Sequence, residues 1–253
     1  EVAYAGAFLR PGTDAEFHLV DERLVGRKPA TLSFEEAAAL PLTTLTAWET
    51  LFDRLEVTRA VPGAAPAVLV VGGAGGVASI AVQLLRALTD LTVIGTAARA
   101  ETRDWVTAMG AHHVVDRSRP MAPQIAALGL GAPGHVFSTT HSGEHLADIA
   151  ELIAPQGRFA LIDDPAHLDV ARLKRKSVSL HWESMFTRST FATPDVERQH
   201  AILTELATLV EAGRVRTTLT EVLRPISAAT LRTAHARVEA GKMIGKLVVA
   251  GWA

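Results

Sequence analysis

Val68-Leu69-Val70-Val71-Gly72-Gly73-Ala74-Gly75-Gly76-Val77-Ala78 is the stretch whose reading decides the fold. Its first four residues are the apolar run of a short buried strand, and the residues from Gly76 on have helical periodicity. Between them, Gly73, Gly75 and Ala78 fit G-x-G-x-x-G/A. The first glycine permits a tight turn. The second lets the backbone approach a pyrophosphate that a Cβ would repel. The small third residue lets helix pack on strand, with the phosphates over the helix N-terminus. The stretch points to a dinucleotide held by Gly73, Ala74, Gly75, Gly76 and Val77. The plainer alternative is a strand–helix turn that binds nothing.

Working outward, apolar runs at 67–71, 91–95, 112–115, 135–138, 158–162 and 177–181 alternate with helical segments at 76–88, 101–109, 123–128 and 143–153. Short buried strands alternating with helices predict an α/β fold, a doubly wound parallel Rossmann sheet. Gly110 stands where a helix end needs a positive φ, and Gly157 leads into the fifth strand. Upstream, residues 15–20 alternate as a half-buried strand would. Ser33-Phe34-Glu35-Glu36 is a capping box whose helix is expected to stop at Pro41. A second helix is expected over 43–55, with Leu45, Trp48, Leu51, Phe52 and Leu55 on one face. Downstream, Thr193-Pro194-Asp195 reads as a helix start and Gly213 as its end. A strand over 215–223, a helix over 227–239 and a closing strand at 246–249 follow.

Which dinucleotide binds is decided after the second strand, at Thr96-Ala97-Ala98-Arg99. An NAD site usually carries Asp or Glu about 20 residues beyond the glycines, on the ribose 2′-OH. Here that place holds Ala97, and Arg99 is spaced to pair a 2′-phosphate through its guanidinium fork, so NADP(H) is favoured. A solvated Arg99 is the structural alternative, and Glu101 keeps NAD open. Ser138 and Thr139 end the fourth strand, and Leu161 and Ile162 end the fifth, where cofactors bind such sheets.

Composition removes other classes. The 253 residues carry a net charge of −2 with no long basic run, so a nucleic-acid partner is not expected. Without cysteine, the chain itself offers no disulfide, thiol nucleophile, Cys-ligated zinc or iron–sulfur cluster. With 48% hydrophobic residues it is no disordered chain, yet no apolar run approaches the roughly 18 residues of a membrane span. No secretory leader is read, and a cytoplasmic location is expected. His141-Ser142-Gly143-Glu144-His145 spells H-x-x-E-H, but it follows a strand and holds a glycine, so loop histidines in solvent are expected rather than a zinc pair. His112 and His113, adjacent in a strand, face opposite ways. The basic run Arg172-Leu173-Lys174-Arg175-Lys176 reads as a solvated loop.

Further stretches carry a family resemblance. Leu32-Ser33-Phe34-Glu35-Glu36-Ala37-Ala38-Ala39-Leu40-Pro41, Leu45-Thr46-Ala47, Gly110-Ala111-His112-His113-Val114-Val115-Asp116 and Gly245-Lys246-Leu247-Val248 resemble the medium-chain dehydrogenase/reductase superfamily, and within it the quinone-oxidoreductase branch. Val20-Asp21-Glu22-Arg23, Ala154-Pro155-Gln156-Gly157, Ile162-Asp163-Asp164-Pro165, Lys174-Arg175-Lys176-Ser177 and His181-Trp182-Glu183-Ser184-Met185-Phe186-Thr187-Arg188 narrow it to the subgroup of zinc-type alcohol dehydrogenase-like proteins. The resemblance implies a mainly-β GroES-like catalytic domain around the Rossmann domain. Residues 1–45 and 188–253 would be parts of the former, and 46–187 the latter. The opening at Glu1, without methionine and inside an apolar pattern, is expected to mark a chain lacking most of the first catalytic segment.

The resemblance also implies roles. Counted back from Thr46, the catalytic zinc cysteine of the alcohol dehydrogenases falls on Leu42, which cannot bind a metal, so no zinc is expected. Thr46 matches the threonine beside the nicotinamide, with a purely structural helix threonine as the alternative. Tyr4 matches a site-lining tyrosine able to donate to a developing oxyanion, or packs ordinarily. Lys246 would reach a cofactor phosphate or stay exposed. His181, Trp182 and Phe186 would line an acceptor pocket or pack in the core. The activity implied is NADPH-dependent hydride transfer to a small quinone, enone or related carbonyl, by a homodimer. The alternatives are a zinc alcohol dehydrogenase and a non-catalytic NADP(H)-binding protein.

Overall fold

The computed structural model describes residues 1–252, which fall into two compact units: residues 47–183, and residues 1–46 with those from Ser184 on. The chain opens with β1 (Val2–Tyr4) and β2 (Val25–Arg27), paired antiparallel with Tyr4 opposite Val25. The alternating residues 15–20 form no strand, and Phe17 and Leu19 are exposed. Alternation becomes a strand only where a neighbouring ladder covers it, and among the described residues none pairs here. The capping box is formed: Glu36 N–H donates to Ser33 Oγ (3.2 Å) and Ser33 N–H to Glu36 Oε2 (2.9 Å), starting α1 (Phe34–Ala38). Pro41 does not merely stop α1. It opens α2 (Pro41–Trp48), because a residue without N–H loses nothing at the first helical position. From Glu49 to Arg54 the helix widens into a π-helical stretch that the apolar pattern does not announce, although Leu45, Leu51 and Leu55 are buried as expected.

The second unit is the Rossmann sheet. Its strands are β3 (Ala65–Val71), β4 (Thr92–Thr96), β5 (His113–Val115), β6 (Pro133–Ser138), β7 (Arg158–Leu161) and β8 (Ser179–Trp182), in the order β5-β4-β3-β6-β7-β8 and parallel throughout. The connecting helices are α3 (Gly76–Leu88), α4 (Ala100–Ala108), α5 (Met121–Ala127) and α6 (Ser142–Leu152). Strand order reverses between β3 and β6, the topological switch point where such sheets bind ligands. One core layer packs Leu69, Val71, Ile94, Val136 and Phe159 of the sheet with Met121, Ile125, Leu146 and Ile149 of α5 and α6. Burying each such side chain contributes about 1.5–3 kcal/mol.

Three expectations in this unit change. Helix α5 starts at Met121 rather than at Pro123, because the Asp148 carboxylate accepts from the Met121 and Ala122 N–H groups and caps two more residues. The basic run is no solvated loop. Residues Val170–Lys176 form a 3-10 helix that buries Leu173, and Lys176 Nζ donates to the Glu151 (2.5 Å) and Ile153 (2.7 Å) carbonyls at the end of α6. His145 is not a solvent-facing loop residue. It lies half-buried within α6, while His141 precedes that helix in the left-handed region with φ 54°.

Beyond β8 come α7 (Thr187–Thr190), α8 (Arg198–Glu211), β9 (Leu219–Leu223), α9 (Ala228–Glu239) and β10 (Lys246–Val249). The Thr193-Pro194-Asp195 stretch does not start the helix. Thr193 Oγ1 (2.7 Å) and Arg188 Nε (2.9 Å) occupy the Asp195 carboxylate, and α8 begins three residues later. Strand β9 starts at Leu219 instead of 215 and pairs in parallel with β10. Helix α8 packs on β2 so closely that a Cβ at Gly26 would lie 2.2 Å from Leu203 Cβ.

Candidate active site

The loop after β3 is built in three parts. Gly72 takes φ +94°, and a Cβ there would collide with Thr139 Oγ1 at 2.3 Å. Its N–H donates to Thr96 Oγ1 at 3.0 Å. Gly73 has an ordinary φ, but its Cβ position is blocked by Thr96 O and Val106 Cγ2, both at 2.8 Å. Gly75 caps α3 with φ −71°, and nothing lies nearer its Cβ position than Gly72 O at 3.5 Å. The positive-φ turn thus belongs to Gly72, one residue before the motif's first glycine. Gly73 serves packing against β4. Gly75 keeps the space over the helix start open, and Ala78 is fully buried against the sheet, as its small size allows. The first-turn N–H groups of α3, including those of Gly76 and Val77, lack intrahelical partners and point to that space. Ala74 is buried between the glycines.

The rim around the loop is tied together. Thr139 donates to Val71 O through both N–H (3.1 Å) and Oγ1 (2.9 Å), stitching β6 to β3 at the switch point. Ser138 is fully buried, and its hydroxyl is held by Ser142 Oγ (2.7 Å) and Thr140 O (3.4 Å). Ser138 therefore shapes the rim and does not face outward. The Asp163 carboxylate accepts from the Ser142 N–H at 2.9 Å and from its hydroxyl. Leu161 is buried at the end of β7, with Ile162 half-buried after it. Beyond β4, Ala97 is buried, and Arg99 precedes α4 with Nε 3.2 Å from Glu101 Oε1. Thr102 Oγ1 donates to Arg99 O (2.8 Å) and accepts from Arg99 N–H (3.1 Å), fixing the backbone there.

At the sheet edge, His181 Nε2 lies 3.0 Å from Ser179 Oγ. Burial, with the Arg158 and Arg54 guanidinium groups, pushes the His181 imidazole below its ordinary range. Trp182 is 54% exposed, which removes core packing as its role. The Glu183 carboxylate is fully buried and takes Arg54 Nε at 2.8 Å, a pair 129 residues apart in sequence that no local pattern signals. The same holds for Thr96, and for Gly72, whose positive φ could be read only from the extra glycine beside the motif.

In the other unit, Tyr4 and His18 stack with centroids 5.5 Å apart, and Tyr4 Oη lies 3.1 Å from His18 Nδ1. His18 Nε2 is 3.0 Å from Pro11 O, a pure acceptor, so Nε2 carries the proton, and for neutral His18 Nδ1 accepts from the tyrosine. Thr46 is buried, and its hydroxyl donates to Leu42 O at 2.8 Å, the back-bond of a helix threonine. Phe186 packs on Phe8 at 5.7 Å. Lys246 lies in β10, and burial lowers its ammonium pKa.

A family model described as zinc-binding dehydrogenase matches residues 109–249. A zinc-type alcohol dehydrogenase-like protein of Staphylococcus aureus (strain COL) is 36% identical over 98% of this chain and 74% of its own length. The chain belongs to the zinc-binding dehydrogenase family. A crystal structure from Rhizobium etli CFN 42, assigned provisionally as a zinc-dependent alcohol dehydrogenase, is 63% identical and superposes with a TM-score of 0.98 over 99% of this chain and 73% of that one. An NAD-dependent alcohol dehydrogenase is 28% identical with a TM-score of 0.77, over 95% of this chain and 65% of that one. The chain thus spans about three quarters of the first two relatives. The resemblance to the medium-chain dehydrogenase/reductase superfamily holds, and this zinc-binding dehydrogenase family member is an oxidoreductase with a nicotinamide cofactor.

The residues fit that cofactor. The open space over Gly75 at the switch point is a cradle that a side chain would fill. No group of three or more His, Asp, Glu or Cys side chains lies together among the described residues. Among the described residues no helix is long and apolar enough to cross a membrane.

Proposed function

We propose that this dehydrogenase reduces a quinone, enone or related carbonyl with NADPH and without zinc. The observation that carries the reading is the open dinucleotide cradle at Gly75, taken with Leu42, whose side chain cannot bind a metal, at the position the resemblance gives the zinc cysteine. NADPH, when bound, supplies the hydride; a proton completes the reduction, leaving NADP⁺ and the reduced acceptor. The backbone N–H groups of the loop from Gly73 to Val77 would hold the pyrophosphate, and Thr139 keeps β6 and β3 closed beneath it. Leu161 and Ile162 offer backbone groups for the nicotinamide amide. Arg99 would take the 2′-phosphate. Tyr4, whose hydroxyl donates to neutral His18 in the free chain, would turn that proton to the developing oxyanion when the acceptor is bound. Thr46, whose proton goes to Leu42 O, would stand beside the nicotinamide, as the resemblance implies. Lys246 would supply charge to a phosphate, and His181 and Trp182 apolar and aromatic surface to the acceptor.

Following NADPH oxidation at 340 nm with a panel of quinones and enones, beside elemental analysis, tests this. Turnover of one of these classes at less than a tenth of an equivalent of zinc is expected. Binding of NADPH with no turnover, or turnover only with stoichiometric zinc, overturns it. The reading includes a cytoplasmic setting and a homodimer. Support for the latter is β8, which ends the sheet with one ladder unpaired among the described residues and with Trp182 exposed. A monomer by sedimentation velocity at working concentration would contradict it.

A further inference from the structure

The proposed 2′-phosphate contact stands next to a carboxylate that opposes it. Arg99 Nε lies 3.2 Å from Glu101 Oε1, with side chains 43% and 57% exposed, so the guanidinium already has an anionic neighbour. Thr102 pins the Arg99 backbone through two hydrogen bonds, at 2.8 and 3.1 Å. Arg99 therefore cannot carry its charge far from Glu101 by moving the chain; only the side chains can rearrange.

A ribose 2′-phosphate brings about −1.5 to −2 charges at neutral pH. At Arg99 it would place two anions on one cation, with the carboxylate within a few ångströms of the phosphate. A dinucleotide with a bare 2′-OH meets the opposite situation. Its hydroxyl is a donor that a carboxylate suits as acceptor, and Glu101, the second residue of α4, stands five residues beyond the end of β4. Ala97, the earlier candidate position, has no side-chain acceptor to offer.

We infer that Glu101 is a specificity-determining residue which disfavours the 2′-phosphate and favours the bare ribose, so that this site keeps appreciable affinity for NADH beside NADPH. The inference rests on the reading of Arg99 as the 2′-phosphate contact. A merely structural role is the rival: Glu101 sits in the first turn of α4, where an acidic side chain complements the helix dipole. In that case its loss lowers stability slightly and leaves the ratio of the two affinities unchanged.

The test is calorimetric titration of the chain with NADPH and NADH, for wild type, Glu101→Gln, Glu101→Lys and Arg99→Ala. Glu101→Gln is expected to tighten NADPH about five-fold and to weaken NADH about two-fold, the size an exposed charge contact carries. Glu101→Lys should tighten NADPH further, and both gains should shrink in 0.5 M salt. Arg99→Ala should weaken NADPH about ten-fold or more with NADH little changed. If Arg99→Ala is selective while both Glu101 variants leave the NADPH/NADH ratio as it was, the inference fails and the reading of Arg99 stands. If Arg99→Ala weakens both cofactors equally, the reading of Arg99 fails and the inference falls with it.

Discussion

In the Rossmann unit Leu69, Val71, Ile94, Val136 and Phe159 are fully buried, while in the other unit Phe8, Leu9, Phe17, Leu19 and Phe34 are 62–91% exposed. The difference follows from how each closes its surface. The first is a six-stranded sheet whose neighbours are joined by local β–α–β connections, so each apolar run finds cover nearby in the sequence. The second has two separate two-stranded sheets, β1–β2 and β9–β10, too small to cover an apolar face alone. The glycine loop proposed to hold the cofactor stands on the self-sufficient unit. The groups read as serving the acceptor, Tyr4 and Thr46, stand on the other.

The largest expected effect separates the two units directly. Leu69→Ala should destabilise the chain by about 2–5 kcal/mol, and Leu19→Ala by less than about 0.5 kcal/mol. Equal losses in chemical denaturation would show that Leu19 is covered in solution. A second difference is titratable. Burial, reinforced by the Arg158 guanidinium, pushes the His135 imidazole down to about 4. The folded chain therefore resists protonation that the unfolded chain accepts near 6.5. Stability should be full above pH 6.5 and fall as pH drops toward 4, by on the order of 3 kcal/mol. His135→Phe should flatten that slope; a slope unchanged in the variant would assign it to other groups.

Smaller effects sharpen the glycine loop. Gly73→Ala would press a methyl on Thr96 O and Val106, both 2.8 Å from the Cβ position, and should cost about 1–3 kcal/mol. A variant as stable as the parent would show that the loop relaxes. Asp148→Ala removes the cap of α5 and should cost about 1 kcal/mol, read from the denaturation midpoint.

The same contrast governs what the sequence discloses. The sheet was legible because its signals are local: an apolar run, a glycine turn and a helix within 21 residues around Gly75. The motif's positions were legible, but not all their duties. The positive φ fell to Gly72, and the contacts that make glycine necessary at Gly72 and Gly73 come from Thr139, Thr96 and Val106, distant in sequence. Pro41 and Asp148 moved helix starts for different reasons, Pro41 locally, by lacking an N–H to lose at the first helical position, and Asp148 from a distance, by capping from another helix. In the other unit, alternation at 15–20 promised a strand that needs a partner ladder to exist. The Tyr4–His18 contact joins residues 14 apart across a turn, which no local periodicity signals.

Gly75 offers the most direct test, because its ordinary φ and open Cβ position separate binding from folding. Calorimetric titration with NADPH, beside thermal melting, should be run on the parent chain and Gly75→Val. The parent should bind NADPH, and Gly75→Val should bind at least ten-fold more weakly with a melting temperature within about 2 °C of the parent. NADPH binding as tight in Gly75→Val as in the parent would contradict a dinucleotide held over the start of α3.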